Sequence, residues 1–316
     1  MDIQEILHQK IKELPIGPYG DGLGAVRSHI DAAVRHFLRG QNEPDETLFT
    51  DVIFRCNQAF EGSIKEAYRV IARRDPRSVK PYDIEQFLEK SGLLRKKVLD
   101  QFTVYRREWR NASAHDYTLD FDEDEALLAI VTVTAFAIVL TDQIGGQIAF
   151  DDAAAAAPTH ALSVTEQSMP LLELVTNKAV AFAENHIDAV GSTHSPAHDY
   201  YRLEGALAGY LSSELAALPG IVVEQNKRFA SSEADIVVGR HAERVVIELK
   251  RTSEKTGKTS VRSVAHRGVT QVALYLHEAD VIGAVVLVYS MLGGKYSITP
   301  ASGALSDVVR IVAPQP

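Results

Sequence analysis

Ser232-Glu-Ala-Asp235-Ile-Val-Val-Gly-Arg-His-Ala-Glu-Arg-Val-Val-Ile-Glu248-Leu-Lys250 contains two β-branched runs joined by the polar segment 239–243, which is the pattern of a β-hairpin. A turn near residue 241 brings Asp235 opposite the Ile247/Glu248 end of the partner strand. Glu248 and Lys250 are two apart on a strand, so both side chains leave one face while Leu249 points to the other. Two carboxylates and one ammonium therefore converge. Such a group suits metal-assisted phosphodiester hydrolysis, because Mg2+ (or Mn2+) prefers oxygen ligands and is held by one or two carboxylates with waters and substrate phosphate. Asp235 and Glu248 would hold the ion. Lys250 would orient or help deprotonate the attacking water, or stabilise charge developing on the phosphate. The bare spacing also fits an exposed hairpin with scattered charges, so the flanking elements have to decide.

Outward from the hairpin, the pattern predicts helix (about 166–187), a loop at 190–198, helix (about 200–217) and strand (221–226) before it. Helix (about 261–278), strand (281–289) and strand (295–299) follow, with Gly293-Gly-Lys295 as a hairpin turn between the last two. This is an α/β arrangement around a mixed central sheet. The helix before the hairpin carries Glu204 and Glu214. In the helix after it, Gln271 and Tyr275 are four apart and share a face. Over about residues 200–300 the chain resembles the PD-(D/E)xK nuclease superfamily of restriction-endonuclease-like folds, and Gln271-x-x-x-Tyr275 resembles the added motif of its RecB-like branch. The resemblance implies catalytic roles for Asp235, Glu248, Lys250 and Gln271, with Tyr275 in support. It also implies a metal set of Glu204, Asp235 and Glu248, in which Glu214 is the alternative to Glu204. Ala234 stands where the family name has proline.

The first half lacks strand patterns. Helices are predicted at 23–39, 46–74, about 83–94, 97–114 and about 123–143, the last opened by Asp122, Glu123, Asp124 and Glu125 at the positive end of its dipole. An all-α bundle over residues 1–150 follows. Between 151 and 165 there is no periodic apolar face and Pro158 interrupts a continuing helix. That stretch is predicted as a linker to an α/β domain over 166–316.

At the end of the fourth predicted helix stands Arg110-Asn-Ala-Ser-Ala-His115-Asp-Tyr117. A guanidinium keeps its charge and matches phosphate, and an imidazole exchanges a proton near neutrality. The pair has what metal-free transesterification of RNA needs, with the 2′-OH as internal nucleophile. Over roughly residues 20–145 the string and its setting resemble the R-x4-6-H-x-Y motif of HEPN domains. The resemblance implies catalytic roles for Arg110 and His115 and supporting roles for Asn111 and Tyr117. It also implies a homodimer in which two such motifs face each other.

Composition sets the frame. The 316 residues are 46% hydrophobic and 24% charged, the profile of ordinary globular domains, and the length suits two of them. The net charge of −9 excludes coating of nucleic acid by bulk charge, so contact has to come from local patches. Two basic groups stand out: Arg95, Lys96, Lys97, Arg106, Arg107 and Arg110, and Lys250, Arg251, Lys255, Lys258, Arg262 and Arg267. A single cysteine, Cys56, excludes an internal disulfide and a multi-thiolate zinc site, and suits a reducing cytoplasm. The most apolar window, 126–140, is shorter than a bilayer span and reads as a core helix, so no membrane role is expected.

The expectation is a two-domain cytoplasmic nuclease. Its HEPN-like domain would cleave RNA without metal, and its PD-(D/E)xK-like domain would cut DNA or RNA with Mg2+. Antiviral defence or a toxin role, with an inhibitory or triggering partner, is implied by the resemblances. The alternatives are that one domain is catalytic and the other a dimerisation or sensing module, or that the chain binds nucleic acid without cutting it.

Overall fold

A computed structural model of the chain describes residues 2–43, 45–92, 94, 96–110, 120–157, 162–185, 199–229, 232–252, 258–290 and 294–315. The chain divides into two compact units, Met1–Gly145 and Gly146–Pro316.

The first unit is helical: α1 (Ile3–Glu13), α2 (Gly20–Gly40), α3 (Thr47–Ile71), α4 (Pro81–Lys90), α5 (Lys96–Tyr105) and α6, which begins at Glu123. Local signals set the helix starts. The Asp2 side chain accepts from the Gln4 and Glu5 amides, and Pro81 opens α4 at a position that needs no amide. At the head of α6, Asp122 and Glu125 exchange side-chain-to-backbone bonds of 2.9 and 3.2 Å, a reciprocal cap of orphan amides. The centre is aromatic: Phe60 of α3 lies 4.7 Å from Tyr105, 5.1 Å from Phe136 and 5.3 Å from Phe102, ring centre to ring centre. Burial of these rings ties α3, α5 and α6 together. Lys10 and Asp142, both buried, form an ion pair between α1 and α6.

Two expectations are corrected here. The helix predicted to stop at 143 runs to Ala156 (α6, Glu123–Ala156), so the first part of the predicted linker at 151–165 is helical. Alanine has the highest helix propensity, and the run 153–157 continues the helix until Pro158 approaches. The helix is therefore long and apolar enough to cross a bilayer by length and composition, although more than half of its most apolar stretch is buried in the protein.

The second unit holds α7 (Val164–Ser168), α8 (Leu171–Asn185), α9 (Asp199–Glu214), α10 (Lys258–Tyr275) and six strands. These are β1 (Ile221–Arg228), β2 (Glu233–Arg240), β3 (Glu243–Arg251), β4 (Val281–Tyr289), β5 (Tyr296–Pro300) and β6 (Val309–Pro314). The single helix predicted over 166–187 is two, because Pro170 cannot donate into a continuing helix. The sheet order is β1-β2-β3-β4-β6-β5, antiparallel from β1 to β3, parallel across β3-β4-β6, and antiparallel at β5. The predicted hairpin between the strands at 281–289 and 295–299 does not form, since β6 lies between them. Its run Val309-Arg-Ile-Val has the more apolar character that a strand inside a sheet requires.

Helices cover both faces. Leu172, Phe182, Leu203, Leu207 and Leu211 of α8 and α9 pack with Ile236, Val238, Val245, Ile247 and Leu249. On the other face, Val264, Val272 and Tyr275 of α10 pack with Val237, Val246, Val286 and Val288. Within this unit, α9 lies directly on the backbone of the last turns of α6. A methyl at Gly205 would sit 2.0 Å from the Gly146 carbonyl oxygen, and one at Gly209 would sit 2.1 Å from that of Phe150. The Gly205-x-x-x-Gly209 spacing puts both glycines on one helix face.

Gly209→Ala should lower the urea midpoint by an amount worth about 1–3 kcal/mol, since backbone cannot give way as a side chain can. Gly24→Ala in α2, where nothing lies within 4 Å of the added methyl, should instead gain about 0.5–1 kcal/mol from helix propensity.

Candidate active site on the sheet of the second unit

The turn His241–Ala242 closes the β2/β3 hairpin, with His241 at φ 57° and Arg240 paired with Glu243. That register puts Ile236 opposite Ile247. One step on, where Asp235 would face Glu248, the regular ladder ends. The Leu249 amide donates instead to the Asp235 carboxylate at 2.8 Å. On the other side of β2 the β1 register is the same before and after Asn226, from Gln225↔Ile236 to Lys227↔Ala234, and Asn226 itself is buried at φ 51°. Asparagine is among the few residues that take this left-handed conformation at low cost. The β3 ladder thus ends beside Asp235, and the β1 backbone that faces it carries one left-handed residue. Val246 faces α10, so Glu248 turns to that same face, and Asp235 is brought beside it by the Leu249 amide, close enough for its charge to act on Glu248 and Tyr275.

A closed ring of polar contacts surrounds Glu248. Lys250 Nζ pairs with Glu248 Oε1 and donates to Gln271 Oε1 at 3.1 Å. Gln271 Nε2 donates to the Tyr275 hydroxyl at 3.1 Å. That hydroxyl donates to the Glu233 carbonyl at 2.8 Å and lies 3.5 Å from Glu248 Oε2. Glu248 is 1% exposed and Asp235 6%, whereas the Lys250 side chain retains 20%. Lys250 and Gln271 are the partly exposed members of the ring, and the ammonium also donates to the Leu249 carbonyl at 3.2 Å. Burial, and after it the Asp235 charge, raises the Glu248 carboxyl from its ordinary 4.5 to about 7, against the opposing pull of Lys250 and of the Tyr275 hydrogen bond. Burial also raises the Tyr275 phenol, so it remains a donor.

Five of the sequence-predicted residues are therefore brought together: Asp235, Glu248, Lys250, Gln271 and Tyr275. Glu204 is buried at 2% on α9, which packs on the sheet face opposite α10. Glu214 is engaged by Lys178 at 2.8 Å, and Lys178 also holds Glu166 at 3.0 Å, which gives Glu214 a structural role. Among the described residues no three His, Cys, Asp or Glu side chains are grouped so as to share a metal ion. The set of Glu204, Asp235 and Glu248 is thus not assembled as a trio. The Asp235/Glu248 pair offers oxygen donors of the kind Mg2+ takes, and an ion there would have to displace the proton that burial favours on Glu248.

Sequence reasoning missed Gly268. A methyl there would lie 2.4 Å from Val286 Cγ1 and 3.2 Å from Lys250 Cγ, so its absence lets α10 lie close enough for Gln271 to reach Lys250. Its spacing three residues before Gln271 was the available signal.

In the helical unit, Arg110 closes a π-helical turn, Arg106–Arg110, that continues α5. Arg110 lies 3.7 Å from Glu61 of α3. Arg106 is held by Glu85 at 3.1 Å and Glu89 at 3.5 Å, and lies over the Phe102 ring. Arg107 pairs with Glu108, and Trp109 packs 5.4 Å from Tyr105. Arg106, Arg107 and Arg110 of the first basic group are thus engaged by carboxylates, and Arg95 lies outside the described residues. Asn111, His115 and Tyr117 lie outside the described residues. The lone thiol of Cys56 is buried, which pushes its pKa up and away from nucleophile chemistry.

Compared with family models, curated proteins and solved structures, the chain has no match.

Ionised Glu248 costs the fold, because its pKa is raised on folding. Its contribution to stability is full below about pH 4.5 and is lost as the pH rises through about 7. Glu248→Gln should therefore melt higher than wild type at pH 8, by an amount worth roughly 2–3 kcal/mol, with the difference closing toward pH 4. For Gly268→Ala, a loss of about 1–3 kcal/mol is expected, partly recovered in Gly268→Ala/Val286→Ala, where the second change makes room; denaturation of these two variants and of Val286→Ala checks the coupling.

Proposed function

We propose that the second unit hydrolyses phosphodiester bonds in DNA or RNA with the help of a divalent cation. The observation that carries this reading is the ring Glu248–Lys250–Gln271–Tyr275 beside Asp235. It holds a partly exposed lysine next to two carboxylates where the β2/β3 ladder ends.

In the reaction, a water oxygen forms a bond to phosphorus, the P–O bond to the leaving sugar oxygen breaks, and a proton passes from the water side to the leaving side. Asp235 and Glu248 would hold Mg2+, whose chemistry when bound is charge neutralisation and a lowered pKa of coordinated water. Asp235 is fixed for its task by the Leu249 amide. Lys250 meets the charge that builds on the phosphoryl oxygens. Gln271 accepts one hydrogen bond from Lys250 and keeps the ammonium aimed, while Tyr275 anchors Gln271 to the strand at Glu233. Preorganised charge of this kind contributes most where water is excluded.

The first unit supports a second, separate reading, RNA cleavage without metal by Arg110 and His115. Its support is the π-helical turn that sets Arg110 apart from the regular helix, a feature frequent at functional sites.

One assay tests both. End-labelled DNA and RNA are incubated with wild type, Lys250→Ala and His115→Ala, each with Mg2+ and with EDTA. Cleavage by the second unit should need Mg2+ and fall by about 10²–10³ in Lys250→Ala, while His115→Ala leaves it intact. Mg2+-dependent cleavage untouched by Lys250→Ala would overturn the assignment. RNA cleavage that survives EDTA and vanishes in His115→Ala is the result expected of the first unit, and its absence would remove that reading alone.

A further inference from the structure

α10 has a charge pattern that the ring chemistry does not use. In a chain of net −9, the stretch from Leu249 to His277 carries six Lys or Arg against one acid, Glu254, and the helix Lys258–Tyr275 contains no Asp or Glu. Arg262, His266 and Arg267 are exposed, and among the described residues neither arginine is ion-paired with a carboxylate. This differs from the first unit, where Arg106, Arg107 and Arg110 are each met by a glutamate.

Their directions follow from helix geometry, at about 100° per residue. Gly268 faces the sheet, since a methyl there would strike Val286. Gln271 then lies about 60° to one side and Arg267 about 100° to that same side, one turn and about 6 Å farther along the axis. Arg262 lies about 120° to the other side, and His266 points nearly straight out. Positive charge therefore flanks the helix on both sides, and the Arg267 flank is the one that leads to Lys250.

A single strand offers one phosphate backbone and would leave one flank unmatched. A duplex offers two. The B-form major groove, about 12 Å wide, admits an α-helix, whereas the A-form groove of RNA is too narrow and deep. We infer that α10 docks in the major groove of duplex DNA, with Arg267 on the strand whose phosphate lies at Lys250 and Gln271, and Arg262 on the opposite strand. This rests on the reading of Asp235, Glu248 and Lys250 as a phosphodiester site and selects its substrate.

The test is fluorescence polarisation of the full chain in EDTA. The probes are a 24-base-pair duplex DNA, one of its single strands, and a fully 2′-O-methylated RNA duplex of the same sequence, each over a range of salt. Duplex DNA should bind at least tenfold tighter than either other probe. Arg262→Ala and Arg267→Ala should each weaken it about fivefold at 150 mM salt and reduce the log–log salt slope by about 0.9, while Arg262→Lys retains the slope. Equal affinity for the three probes, or arginine variants that bind as wild type, would overturn the inference. Because no cleavage is read, the outcomes separate. Loss of binding in the arginine variants without Mg2+-dependent cutting in the nuclease assay leaves the docking surface and removes the catalytic reading; cutting that persists with unaffected binding does the reverse.

Discussion

The end of the β2/β3 ladder is the constraint on which the second unit turns. Past Ile236 and Ile247 the two strands stop exchanging backbone hydrogen bonds, and a buried amide cannot be left without a partner. Asp235 supplies one with its carboxylate. A charged acceptor is a stronger partner than a carbonyl, and it leaves a negative group where the sheet opens. Glu248, next along β3, must then be buried beside a like charge, so its carboxyl is held toward the neutral form. Lys250, Gln271 and Tyr275 are the compensation. They belong to one strand and one helix because the β3–α10–β4 crossover lays that helix over the strand face from which Glu248 and Lys250 project.

Close approach sets the distances. Gly268 lets α10 reach the sheet, and Gly205 with Gly209 lets α9 lie on the backbone of α6 residues 146–150. At each place a methyl group would require a neighbour to move, and at two of the three that neighbour is main chain. The helical unit has a different organising element, the stacked Phe60, Phe102, Tyr105 and Phe136, which joins three helices through one cluster of rings. Tyr105 also reaches Asn57 at 3.0 Å, so the end of α5 that leads into the π-helical turn is tied to α3 by a polar contact as well as a ring.

Much of the second unit was legible from residues alone. The strand over 281–289 matches β4 residue for residue, because a continuous apolar run rich in β-branched residues has few alternatives. The hairpin register followed from the polar turn, and the shared face of Gln271 and Tyr275 followed from helical spacing. The extent of α6 was not legible, since its last turns carry no apolar periodicity of their own and lie against α9. Nor was the insertion of β6 between β4 and β5, because strand order depends on which edge is already occupied and not on local pattern.

Periodicity and residue type by themselves determined a helical first part, an α/β second part and, through the polar turn of one hairpin, the convergence of Asp235 with Glu248 and Lys250, because each depends on local sequence. Only the tertiary structure decided which charges are compensated. Two arginine-rich stretches look alike in sequence, yet Arg106 and Arg110 meet Glu85 and Glu61 from other helices, while Arg262 and Arg267 stand exposed on a helix without acids. Glu214 is met by Lys178 from another helix of its unit. The physical reason is the same in both cases: electrostatic partnership depends on distance through space, and elements distant in the chain set that distance.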